Sequence, residues 1–469
     1  MAYIGNKPTV GNFQICDAIS VVNGQAAYTM QVGSVNVIPQ SANHMIVSLN
    51  GVIQKPNSSF TVSGSTITFS SNLATGDVID FIQILGDVLD LGVPSDATVT
   101  TAKLASDSVT YEKIGYNANQ YRNLIINGDM SLSQRATSTS SITGNGYHTI
   151  DRFNTINTTL GTWTQSQSTD VPTGQGFATS LKMDCTTADA SPAAGDRLDI
   201  QQKIEGQNLQ YLKKGTSSAQ STTLSFWVKS NKTGTYIVEL FDSDNTRQIS
   251  QAYTISSSNT WEKKTLTFAG DTSGALGNDN GNSLQVSWFL AVGSTYSSGT
   301  LSTTWTSNTN ANRAVGQVNL ADSTSNEWYV TGVQLEAGTT ASDFEFLPVD
   351  VNQQRCQRYF VQYGRDLNGA GDANVGIGQW YSSSEVVYNM YSPVRMRAKP
   401  TLTSPTVSGG YRIHKAGSYT DVDTGGVITN CDNQAFSVYK SGLGGGTGGQ
   451  ATFVAFIVNG AKLQFSSEL

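Results

Sequence analysis

An all-β protein built from several domains in series is the fold class this sequence predicts, and three observations lead to it. Charged residues make up 13% of the 469-residue chain, about half the usual share of a soluble domain. Glycine occurs 46 times, and Ser, Thr and Asn are abundant throughout; helical proteins favour Ala, Leu, Glu and Lys instead. Short runs of alternating polar and apolar residues, bounded by Gly, Asn and Ser, recur along the chain. Trp, Tyr and Phe are spread over the whole length, so there is core material for about three domains, and disorder is disfavoured.

The first 15 residues read as an extended arm, with Tyr3, Ile4 and Phe13 as docking residues for another chain. A small β domain completes the region 1–90. Ile46, Leu49 and Val52 flank Asn50-Gly51, a hairpin dipeptide tolerant of positive φ. Pro56-Asn57 and Ser63-Gly64 mark the next turns, and Thr66-Ile-Thr-Phe69 alternates as a half-buried strand should.

Residues 91–122 form a stem with an imperfect repeat: Val99-Thr-Thr-Ala-Lys-Leu104 recurs ten positions later as Val109-Thr-Tyr-Glu-Lys-Ile114. One chain cannot bury so thin an apolar line. Three copies around an axis can, with Val99, Leu104, Val109 and Ile114 inward. The region 123–350 carries strand-length runs such as Leu224-Ser-Phe-Trp-Val-Lys229 and Gly234-Thr-Tyr-Ile-Val-Glu-Leu240, which predict a β-sandwich. Region 351–469 opens on a short helix at 351–360 and continues as a second β domain. Gly442–Gly449 is expected to be a flexible tip loop. Residues 451–465 read as one closing strand, apolar on both faces: Phe453, Ala455 and Ile457 on one, Val454, Phe456 and Val458 on the other.

A net charge of −7 offers no basic stripe for a nucleic acid. No apolar run approaches the roughly 20 residues of a spanning helix. The amino-terminal residues lack a basic and then an apolar stretch, so synthesis in a cytoplasm is expected. Cys16, Cys185, Cys356 and Cys431 are scattered and read as free thiols rather than a disulfide framework or zinc site.

Catalytic constellations are weak. His44, His148 and His414 fall in three separate regions, so no Ser-His-Asp site or metal site is expected. Asp184, Asp189, Asp196, Asp199, Glu205, Asp242 and Asp244 are candidate acids, but turn and loop roles explain them first. The glycine run lacks the Gly-Lys-Ser/Thr ending of a phosphate loop. Sugar recognition needs aromatic faces with amides and carboxylates nearby. In the sandwich Trp163, Trp288, Trp305 and Tyr296 are candidates, Trp305 for its polar neighbours, with Trp227 assigned to the core. In the last region Trp380, Tyr381, Tyr388, Tyr391, Tyr411 and Tyr419 lie beside Gly and Ser, the vocabulary of adaptable binding surfaces.

These pieces together resemble a bacteriophage tail fibre of podovirus type. The module around Val47-Ser-Leu-Asn-Gly-Val is similar to one near the virion end of such fibres. Asn123-Leu-Ile-Ile-Asn-Gly-Asp-Met130, Tyr147-His-Thr-Ile-Asp-Arg-Phe153, Leu224-Ser-Phe-Trp-Val-Lys229 and Val333-Gln-Leu-Glu336 resemble the jelly roll of carbohydrate-binding modules. Val351–Phe360, Pro393–Pro400 and the ending Phe465-Ser-Ser-Glu-Leu469 resemble the small C-terminal β domain of those fibres. The resemblance implies an elongated homotrimer attached through its N-terminal region to a tail adaptor or nozzle protein. Its far end would bind a host surface glycan or protein, with the tip aromatics as the receptor contact. No cofactor, catalytic residue or membrane insertion is expected. A depolymerising tailspike and a structural decoration fibre are the rivals. In the family a calcium ion often ties the first strand to the last; Thr331-Gly332 replaces the usual acid.

Overall fold

A computed structural model describes residues 13–85, 121–364 and 373–469. The stem residues Val99, Leu104, Val109 and Ile114, and Tyr3 and Ile4 of the arm, lie outside the described residues. The chain divides into two units, 1–114 and 115–469.

In the first unit Ile79–Ile84 lies between Gln14–Ile15 and Met45–Leu49, with Val52–Ile53 at the edge. A second sheet sets Thr66–Leu73 between Gln25–Thr29 and Phe60–Ser63. Tyr28, Met30, Val47, Phe60, Ile67 and Ile82 fill the core. Asn50 and Gly51 have φ of 51° and 78°, as the tight hairpin between Leu49 and Val52 requires. Asp80 fastens that turn, accepting from the Gly51 amide and the Ser48 hydroxyl, both at 2.7 Å.

The second unit begins with a sandwich. One sheet has the order Ser138–Ile142, Thr162–Ser168, Ser180–Thr187, Glu327–Ala337, Thr222–Ser230, Glu262–Phe268. The facing sheet runs Gly146–Tyr147, Asn154–Thr158, Arg197–Glu205, Asn282–Val292, Gly234–Asp242, Arg247–Ile255, Thr306–Ser307. Every pairing is antiparallel. Alternate residues point inward, so Leu198, Ile200, Val286, Trp288, Tyr236 and Val238 meet Leu181, Met183, Phe226, Val228, Val330 and Leu335.

The opening motif is explained by backbone stapling. The Asn123 amide donates to the Val333 carbonyl at 3.0 Å and its oxygen accepts from the Leu335 amide at 3.1 Å. Gly128 passes so close to the last strand that a Cβ would lie 2.0 Å from the Val333 oxygen. Asn127 takes φ of 60°, and its side chain bonds both backbone groups of Leu132. These bonds join the opening segment to the last strand of the sandwich. The Val333 carbonyl already accepts from Asn123, and the Thr179 carbonyl accepts from the Thr331 hydroxyl at 2.8 Å. No cluster of metal-ligating side chains exists among the described residues. Hydrogen bonds within the chain hold this junction together.

The expected helix is present as Val349–Gln357, starting after Pro348. It buries Asn352 and Cys356 against the opening loop, beside Ile126 and Tyr359. Beyond it Lys462–Ser466 lies between Phe360–Gly364 and Thr401–Thr403. A larger sheet follows in the order Ser418–Val422, Tyr411–Lys415, Ala451–Phe456, Ala373–Trp380, Val386–Tyr391, Ala435–Lys440, Val427–Cys431.

Two expectations are corrected here. Residues 451–465 are two strands, because Gly460, at φ of 91°, turns the chain between Phe456 and Lys462; Asn459-Gly460 is the turn dipeptide that reading missed. The glycine run packs against the domain instead of standing free of it. Gly446 sits on the buried Trp380 ring, where a Cβ would come within 1.9 Å. The Leu443 and Gly446 amides donate to the carbonyls of Ser384 and Ser383. All four cysteines are free thiols, and Cys16, Cys185 and Cys356 are buried.

Candidate functional site

The aromatic residues singled out in the sequence divide sharply. Trp380, Tyr388 and Tyr411 are fully buried in the C-terminal core, so a ligand cannot reach their rings. Their polar tips are used internally: the Tyr388 hydroxyl donates to the Gly425 carbonyl at 2.8 Å, and Trp380 Nε1 to the His414 carbonyl at 3.1 Å. Trp163 and Trp288 are likewise core residues. Trp305 is half-buried against the sandwich, donating to the Ala269 carbonyl at 2.7 Å, with Lys214 Nζ 4.9 Å from its ring. Trp227, assigned to the core, is instead half-buried on the outward side of its strand. Tyr296 is half-buried near Arg197 and Arg313.

Tyr381, Tyr391 and Tyr419 are exposed. Register places Tyr419 opposite His414, Phe453 opposite Ile377, Ile377 opposite Asn389, and Asn389 opposite Ser437. This row crosses the outer face of the larger C-terminal sheet. Phe453 stacks on His414 with centroids 3.8 Å apart, and Arg412 lies 3.7 Å over Tyr419. This face is open, and Ile377 on it is 78% exposed.

The carboxylates are spent on partners. Asp199 holds Arg197 and accepts from Gln201; Glu239 holds Arg313 through two bonds; Asp242 pairs with Lys214 and Asn245. Asp184 lies 3.8 Å from Lys182, while Asp189, Asp196 and Asp244 accept backbone amides in loops. The outer face of the other sandwich sheet is similarly closed: Asp170 accepts from Lys229 and from Trp261 Nε1, and Lys229 lies over Tyr329.

A furrow on the sandwich offers two adjoining hollows. A hollow of about 360 Å³ lies between the helix and the strand Arg197–Glu205, lined by Tyr121, Gln207, Asn208, Tyr211, Arg355 and Tyr359 among others. A second, of about 460 Å³, adjoins it; Tyr121 and Tyr211 border both. The two residues are 67% and 46% exposed. Arg122, Lys213, Gln220 and Glu336 line the second hollow. Burial, with the nearby charges of Glu336 and Glu345, pushes the Tyr211 hydroxyl up to about 12, so it stays a hydrogen-bond donor at neutral pH.

Local structure presents these groups. Tyr211 sits in the short helical turn Gln210–Leu212, which buries Leu212 and leaves Tyr211 outward. The turn ends on Lys213 in the left-handed region. Glu205, at the end of its strand, holds Arg358 and accepts from Tyr359, which fixes the helix end that walls the first hollow. Burial alone would raise Glu205, but bonds from Arg358 and Tyr359 outweigh it and hold the carboxyl below its usual range. Neither Tyr121 nor Tyr211 stood out in the sequence. The available signal was amide-rich context, Asn119-Gln-Tyr-Arg-Asn123 and Gln207-Asn-Leu-Gln-Tyr211, without apolar periodicity.

No family model matches the chain, and no curated protein matches it in sequence. Similar solved structures include the enzymatically active domain of tailspike protein 4 of bacteriophage CBA120, at 15% identity and a TM-score of 0.25 over 46% of this chain. That match spans 22% of the tailspike structure. A family 11 carbohydrate-binding module of Clostridium thermocellum, in complex with a β-1,3-1,4-mixed-linked tetrasaccharide, is 11% identical. It covers 44% of this chain and 98% of its own, at a TM-score of 0.22. A family 61 module in complex with β-1,4-galactotriose is 9% identical over 46% of this chain and 99% of its own, at a TM-score of 0.23. The chain is thus a mostly β protein with a sandwich distantly similar to carbohydrate-binding modules and to a phage tailspike domain.

Proposed function

We propose that this chain is a subunit of a virion fibre that attaches to a cell surface by binding a glycan, and that the sugar lies in the furrow bordered by Tyr121 and Tyr211. The observation that carries the reading is the furrow itself: two exposed tyrosine rings beside amides and charged groups, on a sandwich. Ring faces take the C–H patches of a sugar, and amides and hydroxyls bond its oxygens. The tail-fibre assignment rests on the motif order along the chain. The three-fold assembly rests on the repeat from Val99 to Ile114. In this reading the first unit meets a tail adaptor or nozzle protein, and the chain is made in the host cytoplasm.

Catalysis is not required. Asp199, Glu239, Asp242 and Asp196 of the sandwich are engaged by cations or a backbone amide, whereas a glycosidase needs a facing pair free to act. Weak single sites suffice, because several copies on one particle raise the effective concentration.

The test is retention of the full chain on immobilised bacterial surface polysaccharides, beside Tyr211→Ala. Loss of retention in a folded variant supports the furrow. Shortening of the polysaccharide by the wild-type chain would favour a depolymerase instead, and no retention at all would favour a structural decoration.

A further inference from the structure

We propose that the furrow selects a sugar bearing a carboxylate, a uronate or sialic-type unit, with Arg355 as the group that pairs with it. This rests on the glycan reading above and adds the chemical class of the ligand.

The cations that line the two hollows, Lys203, Arg355, Arg358, Arg122 and Lys213, differ in what already holds them. Arg358 is satisfied by Glu205, with both bonds at 2.7 Å. Lys203 donates to the terminal Leu469 carbonyl oxygen at 2.9 Å. Arg122 lies 3.8 Å from Glu336 and donates to the Asp343 carbonyl. Arg355 differs. It projects from the last turn of the helix Val349–Gln357 and lines the first hollow. Among the described residues it makes one bond, from Nη2 to the Asn123 carbonyl at 3.2 Å, although a guanidinium carries five N–H donors. Among the described residues no carboxylate forms an ion pair with it.

The neighbouring acids do not fill that place. Glu345 is felt electrostatically by Arg355, but it accepts from the Asn123 amide at 2.9 Å. Glu336 is held by Ser342 and Gln334. Burial draws the Arg355 guanidinium below its usual pKa, offset in part by Glu345 and Tyr359; a partly desolvated cation gains more from an arriving anion than a solvated one does. On the far side of the tyrosines Lys213 is exposed, and no carboxylate pairs with it among the described residues. A chain of sugars on the tyrosine faces would therefore meet two cations with which no carboxylate forms an ion pair among the described residues. Arg is also the side chain whose planar fork matches a carboxylate.

The experiment titrates the full chain with an oligogalacturonate and with sialyllactose. The controls are carboxyl-reduced oligogalacturonate and lactose. The expected result is at least about ten-fold tighter binding of an acidic sugar than of its neutral counterpart, weakening as salt is raised. Arg355→Gln should abolish that preference, and Arg355→Lys should keep part of it, each with an unchanged unfolding midpoint. Equal binding of an acid and its neutral counterpart overturns the role of Arg355 and leaves the glycan reading standing. An acid preference that survives Arg355→Gln in a folded variant also overturns it. Binding of none of the four, together with no retention on bacterial polysaccharides, removes the glycan reading as well.

Discussion

Glu205, buried at the end of a sandwich strand, grips Arg358 with two bonds, Nε to Oε1 and Nη2 to Oε2, each 2.7 Å long. The pair ties the sandwich to the segment that follows the helix. Its neighbours act the same way: Arg152 is buried between Glu468 and the Tyr359 ring, and Arg135 reaches both Asp151 and Glu468. Residues after 350 are thus part of the sandwich's support, and removing them would take Arg358 and Tyr359 from Glu205 and Glu468 from Arg152 and Arg135.

Glu205→Ala should therefore destabilise this unit by about 3 kcal/mol, since it strands Arg358 and the Tyr359 hydroxyl. Arg358 retains some solvent access, which keeps the loss near the low end. Chemical denaturation followed by tryptophan fluorescence measures it. An effect below about 0.5 kcal/mol would mean that the pair is decorative.

The pH profile should show two opposing windows. Asp151 is pushed up to about 6 by burial, against bonds from Gln134 that favour the charged form. Its folded pKa lies above the unfolded value, so its contribution is favourable at low pH and is lost as pH rises through 6. Glu205 has the opposite sign: its folded pKa is depressed, so its contribution is present above the unfolded pKa and is lost as pH falls through the lower folded value. The Asp151 contribution should rise as pH drops from 7 to 5, by about 1 kcal/mol, and that of Glu205 should fall away below about 4. In Asp151→Asn the rise should be absent; an unchanged profile contradicts the assignment.

Gly446→Ala should cost about 1–3 kcal/mol through overpacking, because its Cβ would meet the Trp380 ring at 1.9 Å. The unfolding midpoint read at tryptophan emission tests this. No change would show that the loop does not rest on the ring.

Among the tip aromatics, Tyr388→Ala should cost about 3–5 kcal/mol as a core truncation, while Tyr391→Ala and Tyr419→Ala should stay within about 0.5 kcal/mol. The exposures of 68% and 52% for the latter two underlie the contrast.

Much of the fold was legible because the relevant signals are local. Asn50-Gly51 dictates its hairpin, the alternation at Phe226 and Val228 dictates an inner face, and the opening motif contains the Asn and Gly that bind it to the last strand. Burial of single aromatics was not legible. Tyr388 and Tyr391 are three positions apart in one polar and apolar strand, and only the pairing register sends one inward and the other outward. The Asn459-Gly460 turn was hidden because apolar residues continue on both sides of it. The furrow was harder still: Tyr121 and Tyr211 are distant in sequence, and the third wall comes from a helix beginning at Val349. No motif spans such a juxtaposition.

The most direct measurement of the central claim is a titration of the full chain with the surface polysaccharide that retains it best, run in parallel on Tyr211→Ala. The account predicts at least about ten-fold weaker binding by the variant with an unchanged unfolding midpoint. Equal affinities for the two folded proteins would contradict it and move the glycan site away from the furrow.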